Sequence, residues 1–281
     1  MELPIVKHLD EISIQLDQYS SLLCISPTGS GKSTILPKHL FGNIDRTVWL
    51  LQPRQAAAKM VAKRIAEIAN VTLGEKVGYH VRFDRKTSKE TKLIVMTQGM
   101  FLQHINRDPY IEDVGIVILD EFHERSLDLD LSLAWLRELQ SLRDDLKIVI
   151  LSATLDPLPI QTYFGDDLCT FEIEGRSFPI EIEYLSKPSK DYVLQGCHHI
   201  ENLCSQKDFY GDILFFLPGI KEIEQGYNLL HNLSRDVFPL HGRLLPKEQE
   251  RVITSTAPKV ILATNIAETS LTLPNVTYVI D

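Results

Sequence analysis

Cysteine is scarce in this sequence. Its 281 residues include four cysteines, and Cys24 lies within an apolar, strand-like run. A chain of this length with so few cysteines is not built on a disulfide framework, so we expect reduced thiols. The cluster Cys197, His198, His199 and Cys204 lacks a second C-x-x-C or H-x-x-x-H half and falls in a helix-like stretch, so a zinc site is not expected there.

Long hydrophobic runs are also missing. Hydrophobic residues make up 44% of the chain and charged residues 24%, and no apolar stretch approaches the roughly 18 residues that suggest a membrane span. The first residues, MELPIVKHLDEISIQL, mix acidic residues into an apolar pattern, which predicts an amphipathic helix and not a secretory signal. We therefore expect a cytoplasmic protein with no membrane partner.

Positive charge is in deficit, because 29 lysines and arginines face 38 aspartates and glutamates and the net charge is −9. This balance argues against a protein that coats nucleic acid through its whole surface. A local groove with a few donors remains compatible with it. The sequence has no low-complexity segment and no repeat with a period of about 20 to 50 residues, so no repeat architecture is expected.

What the sequence does contain is an alternation of β-rich runs and helix-like segments. In the first half the β-rich runs lie at residues 21–26, 47–51, 92–96, 115–120 and 147–151, and helices are predicted at about 31–41, 54–70 and 126–143. This alternation predicts a parallel sheet with helices on both faces. The apolarity of GIVILD and KIVILS is typical of central strands buried on both sides.

The pattern changes after residue 168 to short alternating runs that end in the breaker-rich SKPSK, which indicates a domain junction. The β/α rhythm then restarts. Strands are predicted at residues 212–217, 237–240, 259–263 and 276–281, and helices at about 219–233 and 246–255. We predict two α/β domains in series, at 1–170 and 171–281.

A glycine-rich loop, PTGSGKST at residues 27–34, joins the first β-rich run to a helix-like run. Such a loop aims backbone N–H groups and the positive end of a helix at one point, which suits a polyphosphate. Lys32 is expected to reach the β and γ phosphates and the Ser33 hydroxyl to bind Mg²⁺, so ATP and Mg²⁺ are the expected cofactors. Ser26 stands where the pattern G-x-x-x-x-G-K-S begins with glycine, and the alternative is a glycine-rich turn that merely connects two elements. The predicted cofactor-binding residues of the loop are Thr28, Gly29, Ser30, Gly31, Lys32, Ser33 and Thr34.

In GIVILDEFHER the adjacent carboxylates Asp120 and Glu121 directly follow the apolar run GIVIL. They are therefore expected at the carboxyl end of a strand, the edge of an α/β sheet where ligands bind. Two adjacent carboxylates after an apolar run are costly without a cation nearby, so Asp120 is the expected magnesium partner. Glu121 is expected to lie near the metal as well and to polarise the attacking water. With Lys32 they form the predicted catalytic set. His123 is a candidate for coupling this site to a neighbouring domain, or a satisfied structural histidine. The alternative for the carboxylates is the acidic first turn of a helix.

These segments resemble the conserved motifs of the DEAH-box helicases of superfamily 2, and specifically of the bacterial HrpB-like branch. PTGSGKST resembles motif I, QPRQAAA motif Ia, MTQGMFL motif Ib, DEFHER motif II and LSATLD motif III. FFLPGIKEIE resembles motif IV and ATNIAETSLTLPNVTYVID motif V. Phe122 gives DEFH in place of DEAH, a form found in the HrpB-like branch.

The resemblance implies two RecA-like P-loop domains with mainly parallel sheets, the second incomplete, with ATP between them and RNA across their tops. It implies an ATP-dependent RNA helicase whose partner is single-stranded RNA or an RNA duplex with a single-stranded tail, with DNA as a further candidate. Protein partners are not indicated. The family roles that transfer are RNA binding for Arg54, Thr97, Gly99, Thr264 and Asn265, coupling for Ser152 and Thr154, and adenine stacking for Arg64. Ile253 aligns with an aromatic of relatives, and Gln98 stands where motif Ib often has aspartate.

Two other classes of protein compete with this interpretation. A small-molecule kinase would share the phosphate loop and the acidic strand, but it would not need the remaining motifs. An ATP-binding module with impaired catalysis is favoured by the lack of motif VI, Q-x-x-G-R-x-G-R, in the 281 residues. We expect that motif to lie beyond Asp281, and we expect weak hydrolysis from this chain alone.

Overall fold

The computed structural model describes residues 3–174, 180–184, 191–206, 209–269, 273 and 275–281. The chain divides into two compact units, Met1–Pro179 and Ile180–Asp281, called here the first and the second unit. None of the helices in these ranges combines the length and the apolar content that a membrane crossing requires. The SKPSK segment predicted as a domain junction lies outside the described residues.

The first unit is built on an eight-stranded sheet with the order β4-β3-β5-β2-β6-β7-β1-β8. Its strands are β1 (Ser21–Ile25), β2 (Thr47–Gln52), β3 (Val77–Val81), β4 (Asp84–Lys86), β5 (Leu93–Thr97), β6 (Val114–Leu119), β7 (Lys147–Ser152) and β8 (Leu168–Glu172). The β3–β4 pair is antiparallel, and the other strand pairs of this sheet are parallel. The carboxyl ends of β1, β2, β6 and β7 therefore meet at one edge.

Helices cover both faces of this sheet. They are α1 (Leu9–Gln18), α2 (Ile35–Gly42), α3 (Gln55–Ala69), α4 (Gln98–Ile105), α5 (Leu127–Gln140) and α6 (Leu158–Phe164). Alternate side chains of each central strand enter two separate cores, so that Leu50 packs in the core with α1 to α3 while Leu51 packs in the core with α4 to α6. Because β6 is buried at all six positions, the apolar runs have the two-sided burial expected of central parallel strands.

The second unit contains a four-stranded parallel sheet with the order β10-β11-β9-β12. Its elements are α7 (Tyr192–Ser205), β9 (Asp212–Phe216), α8 (Ile220–Leu229), β10 (Asp236–Leu240), α9 (Pro246–Thr254), β11 (Lys259–Ala263), α10 (Ile266–Thr269) and β12 (Val276–Ile280). A Cβ on Gly196 would come within 2.3 Å of the Phe215 ring, so glycine permits α7 to lie close over β9. Asp212 and Lys259, both buried, form an ion pair of 2.7 Å between the first residues of β9 and β11.

The predicted α/β class with mainly parallel sheets is confirmed, and three differences in the first unit are informative. Strands β3, β4 and β8 were not predicted. Strand β8 pairs with β1 and crosses residue 170, the predicted domain limit, which stays a prediction. Helix α2 begins at Ile35 and not at residue 31, because residues 31–34 form the turn that closes the glycine-rich loop.

Candidate nucleotide site

The glycine-rich loop leaves β1 at the carboxyl edge of the sheet and is held by the end of β7, since Ser26 N donates to Ser152 O at 3.0 Å. Gly29 (φ 77°) and Gly31 (φ 95°) both adopt left-handed backbone conformations, which glycine accepts without steric cost. Ile35 N donates to Gly31 O at 2.8 Å and starts the helix. Both glycines thus permit the turns by which the loop passes from β1 to α2.

Ser26, where the motif has glycine, contributes a hydrogen bond to the loop. Its hydroxyl lies 2.8 Å from the Ser30 hydroxyl, and both side chains are buried. A buried hydroxyl without a partner is costly, so this pair explains how serine is tolerated at a position that usually carries no side chain. The hydrogen bond to Ser30 thus satisfies the hydroxyl that serine adds at position 26 in place of glycine.

Asp120 directly follows β6 and is fully buried. Its Oδ2 accepts a hydrogen bond of 2.5 Å from Gln52 Nε2, and its Oδ1 accepts one of 2.9 Å from Glu121 N. Burial raises the pKa of Asp120, while the Lys32 ammonium, the Ser33 hydroxyl, the Glu121 amide and the Gln52 carboxamide oppose that rise. The carboxylate is thus surrounded by donors at the point where the phosphate loop meets β6.

Ser33 and Asp120 fit a magnesium ion. Their hydroxyl and carboxylate oxygens are the hard ligands that Mg²⁺ prefers. The Ser33 hydroxyl lies close enough to the Asp120 carboxylate to lower the pKa of that carboxyl, so the two magnesium ligands predicted from separate motifs are near each other. A buried carboxylate is costly without a compensating positive charge, and Lys32, with 3% of its surface exposed, lies close enough to supply part of it.

Glu121 has a left-handed backbone (φ 51°) and a largely buried side chain. Burial, and then the nearby charge of Asp120, raise the pKa of Glu121 to about 7. A carboxylate with a pKa near neutrality is suited to accept a proton from water. Burial thus raises the pKa of both predicted carboxyls.

His123 joins Glu121 to the LSATLD segment. Its Nδ1 lies 3.6 Å from Glu121 Oε2, 3.5 Å from the Ser152 hydroxyl, and accepts a hydrogen bond of 3.4 Å from Ala153 N. The Ser152 hydroxyl also reaches Thr154 O at 3.2 Å. Motifs II and III are thus in direct contact through one imidazole.

The residues predicted to bind RNA from the first unit lie at the same edge of the sheet as the carboxylates. Arg54 precedes α3 and pairs with Glu124 at 3.5 Å. Thr97 ends β5 and Gly99 lies in the first turn of α4. A Cβ on Gly99 would lie 3.3 Å from a carboxylate oxygen of Asp128, so motif Ib and the first turn of α5 are close neighbours.

The remaining predicted site residues lie on α3 of the first unit and after β11 of the second. Arg64 lies on α3 with its side chain largely exposed and pairs with Glu67 at 3.2 Å. Thr264 and Asn265 follow β11 in the second unit, where Thr264 N donates to Leu240 O at 3.1 Å. Residues 270–272 and 274 of motif V lie outside the described residues.

Two buried glutamines were missed as members of this site. Gln52 holds Asp120, and Gln98 accepts a hydrogen bond of 2.8 Å from the Ser126 hydroxyl, which also accepts from Leu129 N. The available signal for Gln52 was a polar residue at the end of the apolar run TVWLLQ, as Asp120 is at the end of GIVILD. Gln98, whose role the sequence left open, supports the start of α5.

Comparisons with known proteins agree with these motifs. Residues 10–162 match the DEAD/DEAH box helicase family and residues 196–281 match the helicase conserved C-terminal domain. The chain is 38% identical to the ATP-dependent RNA helicase HrpA of Borreliella burgdorferi, over all of this chain and 35% of that protein. It is 41% identical to the ATP-dependent RNA helicase HrpB of Escherichia coli, over 99% of this chain and 35% of that protein.

Solved structures give the same result. A crystal structure of the Escherichia coli DEAH/RHA helicase HrpB matches with a TM-score of 0.89 at 41% identity, over 99% of this chain and 36% of that one. The chain spans about a third of the length of these relatives. The predicted resemblance to the HrpB-like branch is confirmed by these matches, and the chain belongs to the DEAD/DEAH box helicase family.

Proposed function

We propose that this chain is the ATP-dependent motor core of an RNA helicase. It binds ATP with Mg²⁺ and single-stranded RNA, or an RNA duplex with a single-stranded tail, and couples ATP hydrolysis to RNA translocation or unwinding. The observation that carries this proposal is the convergence of Lys32, Ser33 and Asp120 beside Glu121 at one edge of a parallel sheet. The names of the relatives, ATP-dependent RNA helicases, support RNA as the partner.

The proposed chemistry uses four side chains, one cationic, one a neutral hydroxyl and two carboxylic. Lys32 and the loop amides bind the phosphates of ATP, and Ser33 and Asp120 hold Mg²⁺, which neutralises phosphate charge when bound. Glu121, with its pKa raised to about 7, orients the attacking water and takes its proton. Asp120, whose two oxygens already accept hydrogen bonds from Gln52 and Glu121 N, is assigned to the metal, and the less buried Glu121 is assigned as the base.

The RNA backbone is assigned to Arg54, Thr97 and Gly99 from motifs Ia and Ib, and to Thr264 and Asn265 from motif V. These are mostly neutral side chains and main-chain groups, which contact phosphates and sugars without reading base sequence. We assign them to two RecA-like domains, 1–170 and 171–281, in a cytoplasmic protein. DNA remains a second candidate for the bound strand.

The link between hydrolysis and movement is assigned to His123, Ser152 and Thr154, and adenine stacking to Arg64. His123 contacts both Glu121 and the Ser152 hydroxyl. A change at the candidate base would therefore reach motif III through one side chain. This contact supports the coupling role over a purely structural histidine.

ATP hydrolysis with and without single-stranded RNA tests the proposal. Glu121→Gln keeps the side-chain shape but removes the base, so we expect ATP binding to persist while hydrolysis falls by about 10²-fold or more. Glu138→Gln, at an exposed position of α5, is the matched control and should retain the parent rate. Wild-type hydrolysis by Glu121→Gln would contradict the assigned base. ATP binding by the wild type without measurable hydrolysis would favour the alternative, a binding module with impaired catalysis.

A further inference from the structure

Gln52 is the last residue of β2, and its carboxamide is almost completely buried, with 2% of the residue exposed. Leu51 of β2 is paired with Leu119 of β6 in parallel register. Gln52 follows Leu51 and Asp120 follows Leu119, so the two residues are neighbours across the β2–β6 pair. This register aligns the amide with the carboxylate at the carboxyl edge of the sheet.

The contact between them is short and charge-assisted. Gln52 Nε2 donates to Asp120 Oδ2 at 2.5 Å, while the backbone N–H of Glu121 occupies Oδ1 at 2.9 Å. One donor on each oxygen fixes the plane of the carboxylate. The side chain that the proposed function assigns to Mg²⁺ therefore depends on β2 for its orientation.

The chemical nature of Gln52 matters as well as its position. An amide donates a hydrogen bond without placing a positive charge beside Asp120 that would compete with a cation. A lysine of similar reach would neutralise the carboxylate, and a glutamate would repel it. Glutamine is the side chain of that length that orients the carboxylate and leaves its charge unchanged.

We propose that Gln52 is a positioning residue of the nucleotide site, which holds the Asp120 carboxylate in place for magnesium binding. The inference rests on the proposed function, because it concerns the Mg²⁺ that accompanies ATP. Hydrogen-bonding partners that orient metal ligands typically contribute about 10- to 100-fold to metal affinity or activity. Gln52 acts through Asp120 and not on the phosphates themselves.

The test measures binding of a fluorescent ATP analogue to the 281-residue chain, in EDTA and across a Mg²⁺ titration. Gln52→Met has similar length but no donor. We expect its affinity for the analogue in EDTA to equal that of the wild type, and its half-saturating Mg²⁺ concentration to rise about 10-fold or more. Gln52→Asn, one methylene shorter, keeps an amide but does not reach Asp120, and should show the same selective loss.

Gln140→Met is the matched control. Gln140 is also a buried glutamine of the first unit, and its amide donates to Ser20 O at 2.9 Å and Leu146 O at 3.0 Å near the opposite edge of the sheet. It should alter stability without changing the Mg²⁺ dependence. Thermal unfolding without nucleotide verifies the fold of each variant, and Gln52→Asn decides the question where the apolar variant does not fold.

The possible outcomes distinguish a wrong inference about Gln52 from a wrong proposed function. A wild type that binds Mg-ATP, together with Gln52 variants of unchanged Mg²⁺ dependence, would overturn the inference about Gln52 alone. A wild type that shows no Mg²⁺-dependent binding of the analogue would count against the proposed function itself. Equal losses in EDTA and in Mg²⁺ would assign Gln52 a structural role and would also overturn the inference.

Discussion

Glu121, assigned as the catalytic base, and Arg125, at the end of the same turn, both have positive φ angles. Glu121 has φ 51° and Arg125 has φ 40°, values that are uncommon outside glycine and cost of order 1 kcal/mol or more. The buried Phe122 ring anchors the intervening turn, and the Arg125 guanidinium lies 5.4 Å from the centre of that ring. Local backbone strain is thus held by packing beside the candidate active carboxylates.

Lys32 is the residue whose removal most directly tests ATP binding. We predict that Lys32→Ala abolishes the stabilisation by Mg-ATP, because Lys32 and the loop amides supply the phosphate contacts. For the wild type, ATP at about 100 times its dissociation constant should add roughly 2.7 kcal/mol to the free energy of unfolding. The measurement is the nucleotide-induced change in melting temperature. Lys38→Ala, at an exposed position of α2, should respond like the wild type, and an equal response by Lys32→Ala would refute the assignment.

A histidine pair outside the nucleotide site makes stability depend on pH. His80 Nδ1 on β3 lies 2.9 Å from His104 Nε2 on α4, and the His104 ring packs against Trp49. Burial is the first cause that lowers the pKa of both imidazoles below 6.5. The charges of Arg85 and Arg107 lower both pKa values further. His104 also lowers the pKa of His80, while Asp108 partly offsets the lowering of the pKa of His104.

As the pH falls below 6.5, we expect this histidine pair to lower the free energy of unfolding of the first unit, against the opposite contribution of Glu121, whose raised pKa of about 7 favours the folded state at low pH. The folded state keeps the two imidazoles neutral there, while the unfolded chain takes up protons near 6.5, so the unfolded state binds more protons. His80→Asn removes one titrating ring and should flatten this dependence. Urea unfolding followed by tryptophan fluorescence measures it, since Trp49 and Trp135 both lie in the first unit. His198→Asn, exposed on α7, should leave the slope unchanged, and an equal slope for His80→Asn would disprove the prediction.

At the scale of elements, the start of α5 connects motif II to motif Ib. Ser126 is the N-cap of α5, where its hydroxyl accepts from Leu129 N at 3.1 Å and donates to Gln98 Oε1 at 2.8 Å. An N-cap hydroxyl satisfies an N–H group that the helix itself leaves unpaired. The same hydroxyl links the helix to α4, so its loss affects two elements.

We predict that Ser126→Ala lowers the free energy of unfolding by about 1 to 2 kcal/mol, because the helix loses its cap and buried Gln98 loses a donor. Ser141→Ala is the control at the other end of α5, where the exposed hydroxyl donates to Glu138 O. That substitution should change stability by about 0.5 kcal/mol or less. Urea denaturation compares the two variants, and an equal effect at both positions would rule out the capping role.

For the whole molecule, the net charge of −9 restricts RNA binding to a local surface. We expect affinity for single-stranded RNA to be independent of base sequence and to weaken as salt rises, because backbone contacts carry affinity without sequence information. Fluorescence anisotropy with labelled RNAs of different sequence at equal salt measures this, and a duplex without a single-stranded tail should bind less tightly. Strong preference for one short sequence would instead indicate a dedicated binding module.

The parts of the fold that the sequence predicted are those with strong local signals. The parallel strands β1, β2, β5, β6 and β7 were located because their apolar runs are continuous and bounded by turn residues. Strands β3, β4 and β8 were missed, because they are short and only partly buried, and β4 and β8 are also the edge strands of the sheet, so their sequence patterns are weak. The start of α2 was placed early because residues 31–34 lead directly into the helical segment, and their turn is set by the backbone of the loop.

The sequence by itself determined the chemistry of the contiguous motifs: the glycine-rich loop with Lys32 and Ser33, and the carboxylate pair at 120 and 121, since these depend on neighbouring residues and on local backbone geometry. The tertiary structure alone decided what supports them. Gln52 meets Asp120 across 68 positions of the chain, Arg54 meets Glu124 across 70, and Gln98 meets Ser126 across 28. Such contacts arise because parallel strands bring their carboxyl ends to one edge, and strand order and register are set by packing of the whole sheet and not by any single segment.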